Sequence, residues 1–105
     1  MLFEWRSVGM QIRFSREAVR FSPGGILFDA WIDDVPLVCE ISSEALIEHF
    51  GASPSRTGCL IAFNAHRTEI EVVAARTIPH RVASGHCNIF RRDFHAITRT
   101  PSGQR

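Results

Sequence analysis

Lysine and tyrosine are absent from this chain of 105 residues, so all 12 of its Lys-plus-Arg positions are arginines. This absence excludes lysine nucleophiles, Schiff bases and phenolic acid–base chemistry. The chain has only three cysteines, without a Cys-x-x-Cys spacing, and no apolar run long enough for a signal peptide or a membrane span. We therefore expect buried, reduced thiols in a cytoplasmic protein that has no membrane partner.

The histidines and cysteines form no recognisable metal or nucleophile motif. His86 and Cys87 are adjacent on a predicted strand, so their side chains point to opposite faces. Cys59 and His66 lie roughly 10 Å apart along a predicted helix by axial rise. A His-Glu-x-x-His motif and a glycine-rich phosphate loop are also missing. We expect no catalytic residue, no metal and no cofactor, and a small enzyme is only the third hypothesis.

The clearest structural prediction is one amphipathic helix over residues 60–78. Positions on one stripe recur there at about 100° per residue, and Pro79 is expected to end the helix because proline removes a backbone donor. A shorter helix is predicted between Ser42, a suitable N-cap, and Gly51, a suitable terminator. The stripe of the long helix contains Leu60, Phe63, Arg67, Ile70, Ala74 and Ile78.

Arg67 lies in the middle of that stripe, where a guanidinium cannot be left without a partner. Two explanations need no functional site: the side chain extends its head to water, or the helix breaks near Asn64 and turns Arg67 outward. The alternative is a ligand or ion-pair site. In that site a buried or cleft-lining Arg67, beside His66, binds Glu40, Glu44 or an anionic ligand.

Alternating apolar residues predict strands before the helices and one strand after them. The first two stretches are residues 11–14 and 18–21, and two longer stretches, residues 26–33 and 35–41, are joined by a tight Asp-Asp turn. Residues 86–90 form the last candidate. The sequence therefore predicts a two-layer α+β fold. An antiparallel sheet of about four strands, in the order β-β-β-α-α-β, packs against one long and one short helix.

The outward sides of the two longest strands are not uniformly polar. Leu27, Trp31 and Val38 share that side, so we expect an interface for self-association or for an unknown protein partner. In the alternative explanation, residues 2–5 of the N-terminal segment fold over this patch.

A further hypothesis concerns the arginines near the start of the chain. Arg13, Arg16 and Arg20 are interleaved with Phe14 and Phe21, a pattern typical of sheet faces that stack bases and contact phosphates. The net charge of +1 and a pI of about 7.8 argue against a general nucleic-acid coat. A transcription-related or other nucleic-acid-binding role is therefore the alternative. The preferred hypothesis is a non-enzymatic accessory or regulatory binding protein that forms a homodimer.

Several motifs along the chain also occur together in one family. They are a Val-x-Phe strand, a strand leading into Ser-x-Glu-Ala-Leu, a Phe-Gly pair and the helical motif Ala-Phe-x-x-His-Arg-x-x-Ile-Glu. This combination resembles a small proteobacterial family known as domain of unknown function 1488. The matching positions are Val19, Phe21, Ser42, Glu44, Ala45, Leu46, Phe50, Gly51, Ala62, Phe63, His66, Arg67, Ile70 and Glu71.

The resemblance covers residues 10 to about 90 and implies a two-layer α+β fold with helices against an antiparallel sheet. It supplies no established catalytic or ligand-binding residues. Residues 1–9 lie outside the shared pattern, so we expect an N-terminal extension there, with Met10 as a candidate native start. Residues 10–92 are expected to form a single domain, and residues 93–105 a flexible tail.

Overall fold

A computed structural model describes the backbone of residues 3–7, 10–82 and 84–98 and the side chains of residues 11–82 and 84–94. In this part of the chain the helices pack on one face of a single sheet. The predicted two-layer α+β fold is therefore confirmed. In chain order the elements are β1 (Phe3–Ser7), β2 (Met10–Phe14), β3 (Arg20–Ser22), β4 (Gly25–Ile32), β5 (Val35–Ser42), α1 (Ser43–Phe50), α2 (Arg56–Ala65), α3 (Arg67–Arg81), β6 (His86–Ile89) and α4 (Arg91–Thr98).

The sheet has the strand order β1-β2-β4-β5-β6, and β3 pairs with the first half of β4 on the same side as β2. All neighbouring strands are antiparallel except β5 and β6, which are parallel. The sheet is therefore mixed and not wholly antiparallel as predicted. The physical reason is that the chain passes through three helices between β5 and β6, which gives it the long crossover that a parallel pair requires.

The hairpin of β4 and β5 determines which side chains face the helices. Asp33 and Asp34 both have positive φ, of 50° and 68°, which is typical of a two-residue type I′ turn. The predicted tight turn is thus confirmed, and its register alternates the two faces along β4. Ile26 and Phe28 point to the helices and are buried, whereas Leu27 points to the other face and is half-buried.

The core lies between the sheet and the helices and is centred on Phe28. The centroid of this ring is 6.2 Å from that of Phe14 and 5.3 Å from that of Phe63. Strands β2, β4, β5 and β6 contribute from one side and all four helices from the other. The largest fully buried apolar side chains are Phe14, Phe28, Phe63, Phe94, Ile12, Ile26, Ile41, Leu46, Ile70, Ile78 and Ile89.

The predicted single helix over residues 60–78 is wrong in one respect, because the chain bends at His66. The φ and ψ of this residue are −117° and 23°, so α2 ends before it and α3 begins after it. Hydrogen bonds still continue across the bend, with the Ile70 N–H donating to the backbone oxygen of His66 at 3.0 Å. Beyond Pro79, α3 continues to Arg81, since the Val82 N–H still donates to Ile78 at 3.1 Å.

The described residues form a regular element near each end of the predicted domain. At the start, β1 pairs along its whole length with β2, so residues 3–7 extend the sheet and do not fold across its outward side. At the end, α4 covers residues 93–98 of the predicted tail, and Phe94 is fully buried against Phe50, at 5.2 Å between ring centroids. Residues 99–105 lie outside the described residues.

Candidate functional site

The side of the sheet away from the helices carries most of the residues singled out from the sequence. We call it the outer face. The β4–β5 register places Val38 opposite Asp29 and diagonal to Leu27 and Trp31, so the three predicted interface residues lie together, each half-buried. The side chains of the outer face are Arg13, Arg20, Ser22, Leu27, Asp29, Trp31, Pro36, Val38, Glu40, His86 and Asn88.

A groove with a volume of about 360 Å³ crosses the outer face. It runs from the loop after β2, over β4 and β5, to the loop before β6. Its volume is within the range of roughly 300–1,000 Å³ that is usual for ligand sites. The residues that line this groove are Ser15, Glu17, Asp29, Ala30, Trp31, Pro36, Leu37, Val38 and Gly85.

Asp29 keeps a negative charge beside the groove at neutral pH. The guanidinium of Arg20 donates to both of its carboxylate oxygens, each at 2.9 Å. These hydrogen bonds lower the pKa of Asp29 below its usual 3.8, although partial burial opposes the shift. Arg20 is held in return, so this arginine is not available as a free cation.

A second polar network on the outer face is centred on Glu40. Ser22 Oγ donates to one carboxylate oxygen at 2.8 Å, and His86 Nε2 lies 3.3 Å from the other. The same histidine nitrogen is 3.1 Å from the side-chain oxygen of Asn88. The carboxylate therefore separates the hydroxyl from the imidazole, which differs from the Ser-His-carboxylate order of hydrolases. The network ties β3, β5 and β6 together.

The three arginines predicted as a nucleic-acid face do not lie on a common free surface. Arg13 donates to Asp34 at 2.6 Å, and Arg20 is held in the pair described above. The side chain of Arg16 does not lie on the outer face; it donates to the buried carboxylate of Glu71 at 2.8 Å. Each of these guanidinium groups is thus matched with an acid, which reduces its attraction for phosphate.

Arg67 and Glu71 form the core of a buried ionic cluster between α3 and the loop after β2. Glu71 is fully buried and accepts from Arg67 Nε at 3.2 Å and from Arg16. Arg67 Nη2 also donates to the backbone oxygen of Ser15 at 2.7 Å, and its guanidinium lies 5.2 Å from the ring centroid of Phe63. The charged groups of this cluster therefore provide one another with hydrogen-bond partners, and together they hold the loop after β2 against α3.

The predicted pairing of Arg67 with Glu40 or Glu44 is corrected by this cluster. Glu40 lies on the outer face, Glu44 is 3.6 Å from Arg91, and His66 is exposed and stacks on the ring of Phe50. The missed partner, Glu71, follows Arg67 by four residues on the same helix. A spacing of four residues is usual for ion pairs on one helix, so the sequence could have indicated the pairing of Arg67 with Glu71.

A smaller pocket of about 240 Å³ lies between the β3–β4 hairpin and the first turns of α1 and α2. Among the described residues that line it, Arg56 is the charged one; this residue is exposed and lies over the ring of Phe21 at 5.2 Å. Within the described part of the chain, no three His, Cys, Asp or Glu side chains are grouped so that they could hold a metal ion. No helix described there has the length and apolar character needed to cross a membrane.

The three cysteines are free and buried. Cys39 and Cys87 lie opposite each other on β5 and β6. Burial raises the pKa of Cys87 to about 11 and that of Cys39 well above its usual value. Thiolates are the reactive form, so both residues are held as unreactive thiols near neutral pH.

We expect iodoacetamide at pH 8 to leave Cys39 and Cys87 unmodified in the native protein and to modify all three cysteines in guanidinium chloride. Peptide mapping after a time course measures this. Cys59, with 5% of its surface exposed against 0% for the other two, serves as the internal reference and is expected to react first. Fast modification of Cys87 in the folded chain would contradict the described burial.

These features define a two-layer α+β domain with a mixed sheet and a grooved outer face. Over residues 12–87 the chain matches the family model described as "Protein of unknown function (DUF1488)", and it belongs to this family. The resemblance inferred from the motifs is thereby confirmed. The matched region begins in β2 and reaches β6, so it contains the groove and the Arg67–Glu71 pair. Comparisons with curated proteins and with solved structures gave no match.

Proposed function

We propose that this protein is a non-enzymatic accessory or regulatory protein of the cytoplasm that binds a protein partner through its outer face. One observation carries the proposal: a groove of about 360 Å³, lined by Trp31, Pro36 and Val38, lies on the side of the sheet opposite the helices. A sheet face that only meets water normally shows polar residues at alternate positions. Here apolar residues interrupt that pattern.

The composition of the groove suits a protein surface. Tryptophan is enriched at the centres of interfaces, where it supplies a large contact area together with a hydrogen-bond donor. Trp31 is half-buried, so part of its indole is open to a partner, and Leu27 adds aliphatic surface beside it. The exposed apolar surface of these two side chains supports binding by burial of apolar area, and such binding requires no catalytic group.

The charges of the outer face and its rim favour a protein over a nucleic acid. Among the described residues, two arginines, Arg13 and Arg20, are accompanied by more numerous carboxylates. A surface with this balance repels phosphates. The carboxylates are Glu17, Asp29, Asp33, Asp34 and Glu40.

Affinity capture from a lysate of the source organism, with variants of matched chemistry, tests the proposal. The face variant combines Leu27→Ser and Val38→Ser. The control is Ile61→Ser on α2, a position with 63% of its surface exposed. We expect the wild type and the control, but not the face variant, to retain the same bound proteins. Equal capture by all three folded proteins would contradict the proposal.

Native mass spectrometry of the purified chain complements the capture, because it shows whether a second copy is the partner. We expect a dimer, if it forms through the outer face, to be lost in the face variant and kept in Ile61→Ser. A dimer that is equally stable in both variants would place self-association elsewhere on the molecule. Circular dichroism and urea unfolding establish that each variant is folded before either measurement.

A further inference from the structure

We propose that the groove binds an extended segment of a partner protein through a basic side chain, arginine or lysine, with an aliphatic residue two positions before it and another two positions after it. This inference rests on the proposed function and names the chemistry of the partner at the same site. It is carried by the shape of the groove, by a carboxylate at its rim and by the aromatic ring in its wall.

The dimensions of the groove suit a short extended peptide. It reaches from Ser15, whose N–H bonds to the backbone oxygen of Asp29 at 3.0 Å, to Gly85, whose oxygen accepts from the Val38 N–H at 2.9 Å. Neighbouring strands lie about 4.8 Å apart, so this crossing spans about 14 Å. At about 3.3 Å per residue, some four residues of an extended chain cover that distance.

Glu17 supplies the charge that recognises the partner. Its backbone N–H donates to Ser15 Oγ at 3.0 Å, which fixes the residue at the rim of the groove. Its carboxylate has no hydrogen-bond or ion-pair partner among the described residues, and the residue is exposed. A carboxylate in this position gains an ion pair from an incoming cation without first breaking one.

Asp29 adds a second acceptor in the groove. Both of its oxygens already accept from Arg20, but each carboxylate oxygen has two lone pairs and can accept another hydrogen bond. The shared charge of this pair makes Asp29 a weaker attractor than Glu17. It therefore orients a guanidinium or ammonium group, while Glu17 supplies most of the attraction.

Trp31 favours a cation over a neutral group at the same place. The face of an indole ring attracts cations, and the guanidinium of Arg13 already lies 5.1 Å from the ring centroid. The ring also lines the groove, next to Pro36 and Val38. Aliphatic residues two positions before and two positions after the partner's basic residue would pack on these apolar side chains, since alternate residues of an extended segment point the same way.

Synthetic probes of one length and one shape test the inference. The first is acetyl-Val-Gly-Arg-Gly-Val-amide. In the second, citrulline replaces arginine and keeps the shape without the charge, and in the third glutamate replaces it. Tryptophan fluorescence is measured in a Trp5→Phe background, in which Trp31 is the only tryptophan. Chemical shifts of the backbone amides locate the bound peptide on the sheet.

We expect the arginine probe to bind about fivefold more tightly than the citrulline probe, from one exposed ion pair and one cation–π contact. The glutamate probe is expected to bind more weakly than either. Glu17→Gln should reduce the preference for arginine to about twofold, because only the cation–π contact then remains, and higher salt should reduce the preference of the wild type. The matched control is Glu48→Gln on α1, an exposed position on the helix side of the molecule, which should preserve the preference.

The possible results separate this inference from the proposed function. Equal binding of the arginine and citrulline probes, or a preference that Glu17→Gln leaves undiminished at about fivefold, would overturn the inference. The proposed function would still stand if protein capture depended on Leu27 and Val38. A second copy of the chain seated in the groove would likewise overturn the inference alone. Failure of all probes, together with capture that ignores the face variant, would overturn both.

Discussion

Replacing Glu71 by glutamine is expected to lower the free energy of unfolding by about 3 kcal/mol. The substitution keeps the shape of the side chain but removes the charge that Arg67 and Arg16 share in a fully buried position. The estimate lies at the lower end of the usual range because Arg16 has 37% of its side chain exposed and can turn to water. Urea unfolding followed by circular dichroism measures the change.

The matched control is Glu69→Gln on the same helix, where 44% of the side chain is exposed. We expect this control to change the free energy of unfolding by less than about 0.5 kcal/mol. An equal effect of the two substitutions would show that the carboxylate of Glu71 is not buried as described. It would then reopen the possibility that Arg67 lines a site for an anion.

A double variant distinguishes a structural clamp from a binding site. Replacing both Arg67 and Glu71 by methionine removes the two partners together, although the backbone oxygen of Ser15 loses a donor, and the partly exposed Arg16 can still reach water. Apolar replacement of a whole buried ion pair is often neutral, whereas removal of one partner is costly. We therefore expect the double variant to be more stable than Glu71→Gln, and the opposite order would contradict the clamp.

Phe94→Ala is expected to cost about 3–4 kcal/mol of unfolding free energy, because the ring is fully buried and its loss leaves a cavity. The ring joins α4 to α1, stacking on His49 with a centroid separation of 5.1 Å and meeting Phe50 edge to face. Hydrogen exchange should also show reduced protection of the amides of α4.

The same change at Phe21 provides the comparison. Phe21 has 39% of its surface exposed, so its truncation is expected to cost about 1 kcal/mol or less. Both variants are measured by urea unfolding under identical conditions. If Phe94→Ala proves as mild as Phe21→Ala, α4 does not belong to the core.

Local patterns were sufficient to predict the hairpin and the first helix. The two-residue repeat of β4 and β5 places Leu27, Trp31 and Val38 on one face, as the register confirms. Ser42 caps α1 by accepting from the Ala45 N–H at 3.0 Å, and Gly51 ends it with φ at 71°. These features depend on neighbours in sequence, so they can be read from the sequence.

The missed features depend on contacts between distant parts of the chain. His66 bends the long helix where its ring stacks on Phe50, at 4.6 Å between centroids. At α4, Asp93 accepts from the Phe90 N–H at 2.7 Å and holds Arg81 through two hydrogen bonds of 2.6 and 2.8 Å. Nothing near residue 93 in sequence indicates that arginine, so the segment resembles a polar tail.

The candidate site was predictable to the same degree. Its apolar residues follow from strand alternation, but other lining residues belong to the loop after β2 and to the loop before β6. Glu17 in particular belongs to a loop with no periodic pattern, and its place at the rim is fixed by the hydrogen bond to Ser15. A sequence pattern predicts which side of a strand a residue lies on, but it does not predict which loop residues lie beside that strand.

The parallel pairing of β5 and β6 has a consequence for the order in which the chain folds. The hairpin of β4 and β5 closes across a two-residue turn. Strand β6 can pair with β5 only after residues 43–85 have been synthesised and have become compact. Such long-range pairing is slow, because the entropy of loop closure must be overcome before any contact forms. Until then, Val38, Glu40 and their neighbours leave an unpaired strand edge. During synthesis, this edge is open to wrong pairing with other chains.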